Sequence, residues 1–171
     1  VAAKLPLVMF SASGGARMQE LHIEQNIRDY FRRIKRKTAL LISSSCHLGA
    51  IASGCDEKVA NHLKRFGYYV GMSFQIIDDI LDLTASDKQL GKPAGSDLMQ
   101  GNITLPVLLV KDDLEMRPLI DKALAGTMNE NERQAFLKKI RQSDAIEESY
   151  YISNLYLQKA LKEVDALPNN S

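Results

Sequence analysis

Three carboxylates and an amide sit inside the apolar run Phe74-Gln75-Ile76-Ile77-Asp78-Asp79-Ile80-Leu81-Asp82. Charge in such a setting is costly unless something cationic gathers it, so this segment constrains the chain more than any other. From Val59 to Leu83 only the small residues Gly67 and Gly71 interrupt the apolar pattern, which reads as one long helix. At helical spacing Asp78 and Asp82 lie one turn apart, Asp79 is about 100° round from Asp78, and Gln75 falls one turn earlier on the same side. All three acids are therefore expected to approach a common point from one wall. A glycine inside a helix costs about 1 kcal/mol, so Gly67 and Gly71 point to close helix packing or to room for a substrate.

A hard divalent cation suits this wall. Mg²⁺ takes carboxylate oxygens, keeps several waters and completes its shell with substrate phosphates. The expected ligand is then a phosphorylated molecule. The plainer reading, an N-capping or surface acidic cluster, fits badly with neighbours such as Met72, Phe74, Ile76, Ile77, Ile80 and Leu83.

Two further segments supply cations. Arg32-Arg33-Ile34-Lys35-Arg36-Lys37-Thr38 is strongly basic and runs straight into an apolar helix. Arg33 and Lys37, one turn apart, can face one site, while the other cations read as solvated. Lys37 can reach phosphate oxygens, and Thr38 adds a hydroxyl donor. The loop Gly91-Lys92-Pro93-Ala94-Gly95-Ser96-Asp97-Leu98-Met99-Gln100-Gly101-Asn102 offers Lys92 against phosphate charge, and Asp97 as support for a metal-bound water or a basic neighbour. No strand precedes it and the P-loop spacing is missing, so it is not a nucleotide-binding P-loop.

The rest of the chain reads as helical. The opening stretch to Phe10 is apolar, Ser11 to Gly15 form a break, and a short helix is expected before Gln25. From Ile27 to Ile51 the residues Tyr30, Phe31, Ile34, Thr38, Leu41, Ile42, Cys46 and Ala50 outline an apolar face. Asp56 is placed to cap the next helix, with Val59, Leu63, Phe66, Val70 and Phe74 on its buried side. Residues 85–102 read as loop. Helices then follow at Leu105 to Val110, Met116 to Leu124, Glu130 to Ile140 and Ala145 to Leu167, all read as packing, and Pro168-Asn169-Asn170 stops the last.

The size of the chain, 171 residues with no Trp, bounds it to one helical domain with a modest core. A net charge of +1 argues against a general nucleic-acid binder. Cys46 and Cys55 make neither a disulfide framework nor a zinc cluster, so a reducing cytosol is the default. Neither a signal peptide nor a transmembrane segment is expected, since the stretch to Phe10 is short and carries Lys4 and Pro6. Val1 in place of an initiator Met hints at a fragment.

Taken together, the acidic run, Lys37-Thr38 and Gly91-Lys92-Pro93 with Asp97-Leu98 resemble the trans-isoprenyl diphosphate synthases, in the order that family carries its second aspartate-rich motif, its Lys-Thr pair and its lysine loop. The resemblance runs from Tyr30 to Val107. Arg28 to Thr38 and Gly101-Asn102-Ile103-Thr104-Leu105-Pro106 are most similar to bacterial long-chain members, including the catalytic component of two-component heptaprenyl diphosphate synthase. It implies an all-α fold, a partial isoprenoid-synthase helical bundle. It also implies Mg²⁺ held by Asp78, Asp79 and Asp82, and an allylic diphosphate stabilised by Lys37, Lys92 and Gln75 as its C–O bond ionises. In this picture isopentenyl diphosphate attacks to give a long-chain polyprenyl diphosphate. Thr38 and Gln75 would also steady the carbocation, and Phe74 lines the hydrocarbon tunnel or simply packs.

Other family features have no counterpart. The first aspartate-rich motif with its paired arginines is absent, and Gly14-Gly15-Ala16-Arg17 lacks the lysine of the isopentenyl diphosphate site. Asn102 stands where some members carry another lysine. Residues 1–171 are accordingly read as the C-terminal portion of a single polyprenyl synthase domain, inactive without the missing N-terminal half. A homo- or hetero-oligomer with a small regulatory subunit is implied, in the cytoplasm and peripheral at the membrane for product release. The alternative is a catalytically inactive helical regulatory or structural fragment derived from the family. Terpene cyclases fit the extended motif and the lysine loop less well.

Overall fold

The computed structural model describes residues 26–168, and every regular element among them is helical. The expectations for the opening stretch, the Ser11 to Gly15 break, the helix before Gln25 and the Asn169-Asn170 end lie outside the described residues.

Helix α1, Ile27–Ile34, starts at Asn26, whose side chain accepts the Asp29 N–H. The chain does not leave the helix at Ile34. Lys35–Ala39 widen into a π-helical turn, in which the Leu40 N–H reaches back to the Lys35 carbonyl, and α2, Leu40–Ala52, carries on from it. After a short break Asp56 caps α3, Glu57–Thr84, by accepting the Val59 N–H at 2.8 Å. At 1.5 Å per residue this rod is about 42 Å long and forms the axis of the molecule.

The two glycines of α3 are where the π turn and α2 cross it. A Cβ at Gly71 would lie 2.6 Å from the Ala39 Cα, and one at Gly67 would lie 2.8 Å from both the Cys46 Sγ and the Ile42 carbonyl oxygen. Backbone meets backbone there, so the glycines serve close packing. This contact also turns the face of α2. The expected line Thr38, Leu41, Ile42 and Cys46 gives way to Ala39 and Ser43, while Leu41 is 52% exposed. The extra residue in the wide turn rotates the start of α2 by about 100°, which moves the buried position on by one there, whereas Ala50 at the far end is buried as expected.

Along its other side α3 packs on α9, Asp144–Asp165, whose buried residues are the small Ala145, Ser149, Ser153 and Ala160. Ser73 and Ser153 share a 2.9 Å hydrogen bond across this seam. Because α3 lies between two helices, its buried face is wider than expected. Val59, Leu63, Phe66 and Val70 are only half-buried, and Met72, Ile76, Ile80 and Leu83 form the core instead.

Residues 85–102 are more ordered than a loop. Single turns α4, Asp87–Leu90, and α5, Ser96–Met99, are joined through Gly91 and Gly95, both at positive φ. Then come α6, Leu105–Leu109, α7, Arg117–Leu124, and α8, Glu130–Gln142, close to the expected bounds. Helix α8 holds the α4–α5 segment down. Arg133 donates to the Ala94 carbonyl at 2.6 Å, Leu137 covers Gly95, and Arg141 donates to the Leu83 carbonyl at the end of α3 at 2.7 Å. Among the described residues no helix is long and apolar enough to cross a membrane.

Candidate active site

Gln75, Asp78, Asp79 and Asp82 share one face of α3, as their spacing requires. The Gln75 amide nitrogen donates to Asp78 at 3.0 Å and to Asp79 at 2.9 Å, and its carbonyl oxygen accepts the Thr38 hydroxyl at 2.6 Å. With both amide protons on carboxylates, the oxygen can only face Thr38. The second oxygen of Asp79 accepts the Tyr30 hydroxyl at 2.9 Å. Burial raises the Asp79 carboxyl above its usual range, against the opposing pull of the Gln75 and Tyr30 hydrogen bonds and of the Lys37 and Arg33 charges. Burial, then the neighbouring Asp79 charge, pushes the Tyr30 phenol well above its ordinary value.

The π turn supplies Lys37 and Thr38 to this site, and wide turns of this kind recur where helices carry function. Lys37 is exposed and makes no ion pair among the described residues. Arg33 turns elsewhere, to the Ile103 carbonyl, with its guanidinium 5.6 Å from the centre of the Tyr30 ring.

Asp82 is buried at the other end of the acid face. It accepts the Ser96 hydroxyl at 3.0 Å and the Asp97 N–H at 3.2 Å, and Lys92 Nζ stands 2.8 Å from it. Lys92 also reaches Asp97 at 3.1 Å. Partial burial disfavours the Lys92 charge, but the contacts with Asp82 and Asp97 outweigh it and raise its pKa. Asp97 thus supports a basic neighbour.

These contacts change the expected metal geometry. Carboxylate oxygens are the right donors for a hard cation, yet among the described residues no group of three acidic, histidine or cysteine side chains is placed to share one ion. Both Asp79 oxygens accept from protein donors, and Asp82 is already matched by Lys92. Asp78 alone is exposed, with one hydrogen bond from Gln75. The donor set fits a cation anchored by Asp78 and completed by oxygens of a ligand and water, rather than one clasped by three aspartates. Phe74 is 59% exposed and lies on the same outward strip as Asp78 and Leu81, outside the core.

The sequence pattern misses Tyr30, Ser96 and the π turn. Tyr30 falls on the apolar face of α1, where its ring is the visible signal and its hydroxyl is not. Ser96 is one more small polar residue in a loop.

Comparison with known proteins bears on the whole arrangement. Residues 11–142 match the family model for polyprenyl synthetase. The chain is 52% identical over 147 residues to heptaprenyl diphosphate synthase component 2 of Bacillus subtilis, which covers 86% of this chain and 42% of that protein. Among solved structures it is similar to heptaprenyl diphosphate synthase from Staphylococcus aureus, with a TM-score of 0.80 and 46% identity over 86% of this chain and 46% of that one. It is also similar to a polyprenyl synthase from Caulobacter crescentus complexed with calcium and isoprenyl diphosphate, with a TM-score of 0.79 and 27% identity over 86% and 46% of the two chains. The chain spans about half the length of the curated relatives it matches.

Proposed function

This chain belongs to the polyprenyl synthetase family, and we propose that it supplies the second aspartate-rich half of a Mg²⁺-dependent prenyltransferase site. The full site would add isopentenyl diphosphate to an allylic diphosphate and build a long-chain polyprenyl diphosphate. The observation that carries this reading is the setting of Asp78, exposed on a buried acid face with Lys37 near one end and Lys92 at the other. Calcium and isoprenyl diphosphate in the Caulobacter relative support a divalent cation and a diphosphate here.

Each residue has a definite part. Asp78 would hold Mg²⁺ together with diphosphate oxygens, and the bound cation would offset charge on the leaving group. Lys37 and Lys92 bind the diphosphate directly, since both are exposed residues that flank the acid face, one on the π turn and one in the α4–α5 segment. To do so, Lys92 exchanges part of its contact with Asp82 for phosphate oxygen, and Ser96 and the Asp97 N–H keep Asp82 hydrogen-bonded meanwhile. Thr38 gives its proton to Gln75, so it offers the site lone pairs and not a phosphate donor. Those lone pairs suit positive charge that develops as the allylic C–O bond breaks. The isopentenyl double bond then supplies the electron pair of the new C–C bond, and a proton leaves.

The first aspartate-rich motif would come from the rest of a longer polypeptide or from another chain, and the name component 2 of the Bacillus relative favours an oligomer with a further component, for which we propose a small regulatory subunit. A cytoplasmic enzyme, peripheral at the membrane when the product is released, completes the proposal. The engaged oxygens of Asp79 and Asp82 favour a second reading, a catalytically inactive regulatory or structural member of the family. Calorimetric titration of inorganic pyrophosphate with and without Mg²⁺ separates the two. Mg²⁺-dependent binding that is lost in Asp78→Ala is expected, and equal affinity under both conditions would sink the active-site reading.

A further inference from the structure

Resting on the active-site reading above, we infer that Tyr30 is a positioning residue that sets the direction of the Gln75 amide through the Asp79 carboxylate. Tyr30 is 1% exposed and among the described residues its hydroxyl has one partner, an oxygen of Asp79. The other Asp79 oxygen takes a proton of Gln75, and the Gln75 carbonyl takes the proton of Thr38. The three links form one line from a buried phenol to the hydroxyl beside Lys37. Its polarity is fixed by the carboxylates. Asp79 and Asp78 can only accept, so Gln75 must present its nitrogen to them and its oxygen to Thr38, and the Tyr30 hydroxyl holds Asp79 at the angle this needs.

Without the Tyr30 hydroxyl, Asp79 would keep a desolvated oxygen with no partner and would rotate to recover one. The Gln75 nitrogen would then be held by the exposed Asp78 alone, at 3.0 Å. An amide held through one proton swings more widely than one held through two, and its carbonyl oxygen loses its fixed direction toward Thr38. The dipoles offered to a developing cation would be blurred. Tyr30 has no other polar contact among the described residues to account for its hydroxyl, and the ring alone would fill the space between Phe31 and Arg33.

The test is Tyr30→Phe, which keeps the ring. In this chain the side-chain amide protons of Gln75, followed by nitrogen-edited NMR, should exchange with solvent about ten-fold faster in the variant. In the assembled synthase, with any subunit it requires, kcat should fall about ten-fold while KM for the allylic diphosphate stays within about two-fold. Gln75→Leu should lower kcat further, and Tyr30→Phe should then add nothing in that background, because its effect runs through Gln75. Equal losses in both backgrounds would mark Tyr30 as merely structural and overturn the inference, as would unchanged amide exchange. Loss with Gln75→Leu but none with Tyr30→Phe would overturn the inference and leave the active-site reading intact. An assembled synthase indifferent to Gln75→Leu would sink that reading, and the role of Tyr30 with it.

Discussion

The acid face of α3 is neutralised differently at its two ends. Asp78 and Asp79 are held by neutral donors, Gln75 and Tyr30, with Lys37 close by but in no ion pair among the described residues. Asp82 carries its own cation, Lys92, together with Ser96 and the Asp97 N–H. Equal spacing on a helix therefore does not give equal chemistry. Charge is still to be matched at the Asp78 end, where an added cation gains most, whereas at Asp82 it would have to displace a lysine already in contact.

Removing Asp78 should have the largest effect. Asp78→Ala is expected to weaken Mg²⁺-dependent pyrophosphate binding by roughly 100-fold, and Asp82→Asn by only about ten-fold, since one loses a metal oxygen and the other disturbs a lysine that supports it. Calorimetry on the two variants checks this, and equal losses would mean that the two ends are alike.

Gly71→Ala addresses how the Lys37 end is built. A methyl 2.6 Å from the Ala39 Cα must push the π turn away from α3, which costs about 1–3 kcal/mol for overpacking. Thr38 and Lys37 move with that turn, while Lys92 sits on a different segment. Urea unfolding should register the cost, and the weaker pyrophosphate binding should match that of Lys37→Ala. A variant as stable as wild type would show that the turn tolerates separation.

The two lysines themselves should divide along the same line. Lys92→Ala leaves Asp82, whose side chain is 3% exposed, with neutral donors alone. Because Lys92 is itself 45% exposed, a cost of about 1–2 kcal/mol follows and not the full penalty of a buried pair. Lys37→Ala should change stability by no more than about 0.5 kcal/mol, as an exposed side chain in no ion pair among the described residues. Both should weaken pyrophosphate binding. Comparable losses of stability would show that Lys37 is held by an internal partner as firmly as Lys92 is.

Much of this arrangement is legible in the chain, and the remainder is hidden for specific reasons. The span of α3 follows from its uninterrupted apolar period, its start from Asp56, and the common face of Gln75, Asp78, Asp79 and Asp82 from helical geometry alone. The bounds of α6 to α9 follow from their turn residues. What each acid touches does not follow, because Tyr30 comes from 49 residues before Asp79 and Ser96 from 14 residues after Asp82. The π turn is likewise invisible in the local pattern Lys35-Arg36-Lys37-Thr38-Ala39. It coincides with the approach of Ala39 to Gly71, and missing it misplaces the start of the buried face of α2 by one residue, though not its end at Ala50.

The smallest expected effect concerns the anchor beneath the Lys92 end. Arg133 fixes the Ala94 carbonyl and is itself gripped by both oxygens of Glu130, at 2.7 and 2.8 Å. That hydrogen bonding from Arg133, with a further bond from Gln134, lowers the Glu130 pKa to about 2. A carboxylate lowered in the folded state contributes stability above its unfolded value of 4.5, and the contribution fades as pH falls from there toward about 2. Wild type and Glu130→Gln should therefore differ most in melting temperature at pH 6 and progressively less toward pH 3, with the difference small throughout because Glu130 is on the surface. Among the described residues the Lys37 end has no link to Glu130, so pyrophosphate binding at pH 6 should fall in Glu130→Gln only through Lys92. A double variant Glu130→Gln with Lys92→Ala should then bind no more weakly than Lys92→Ala. Further weakening in the double variant would mean that α8 reaches the Lys37 end by another route and that the two ends are not independent.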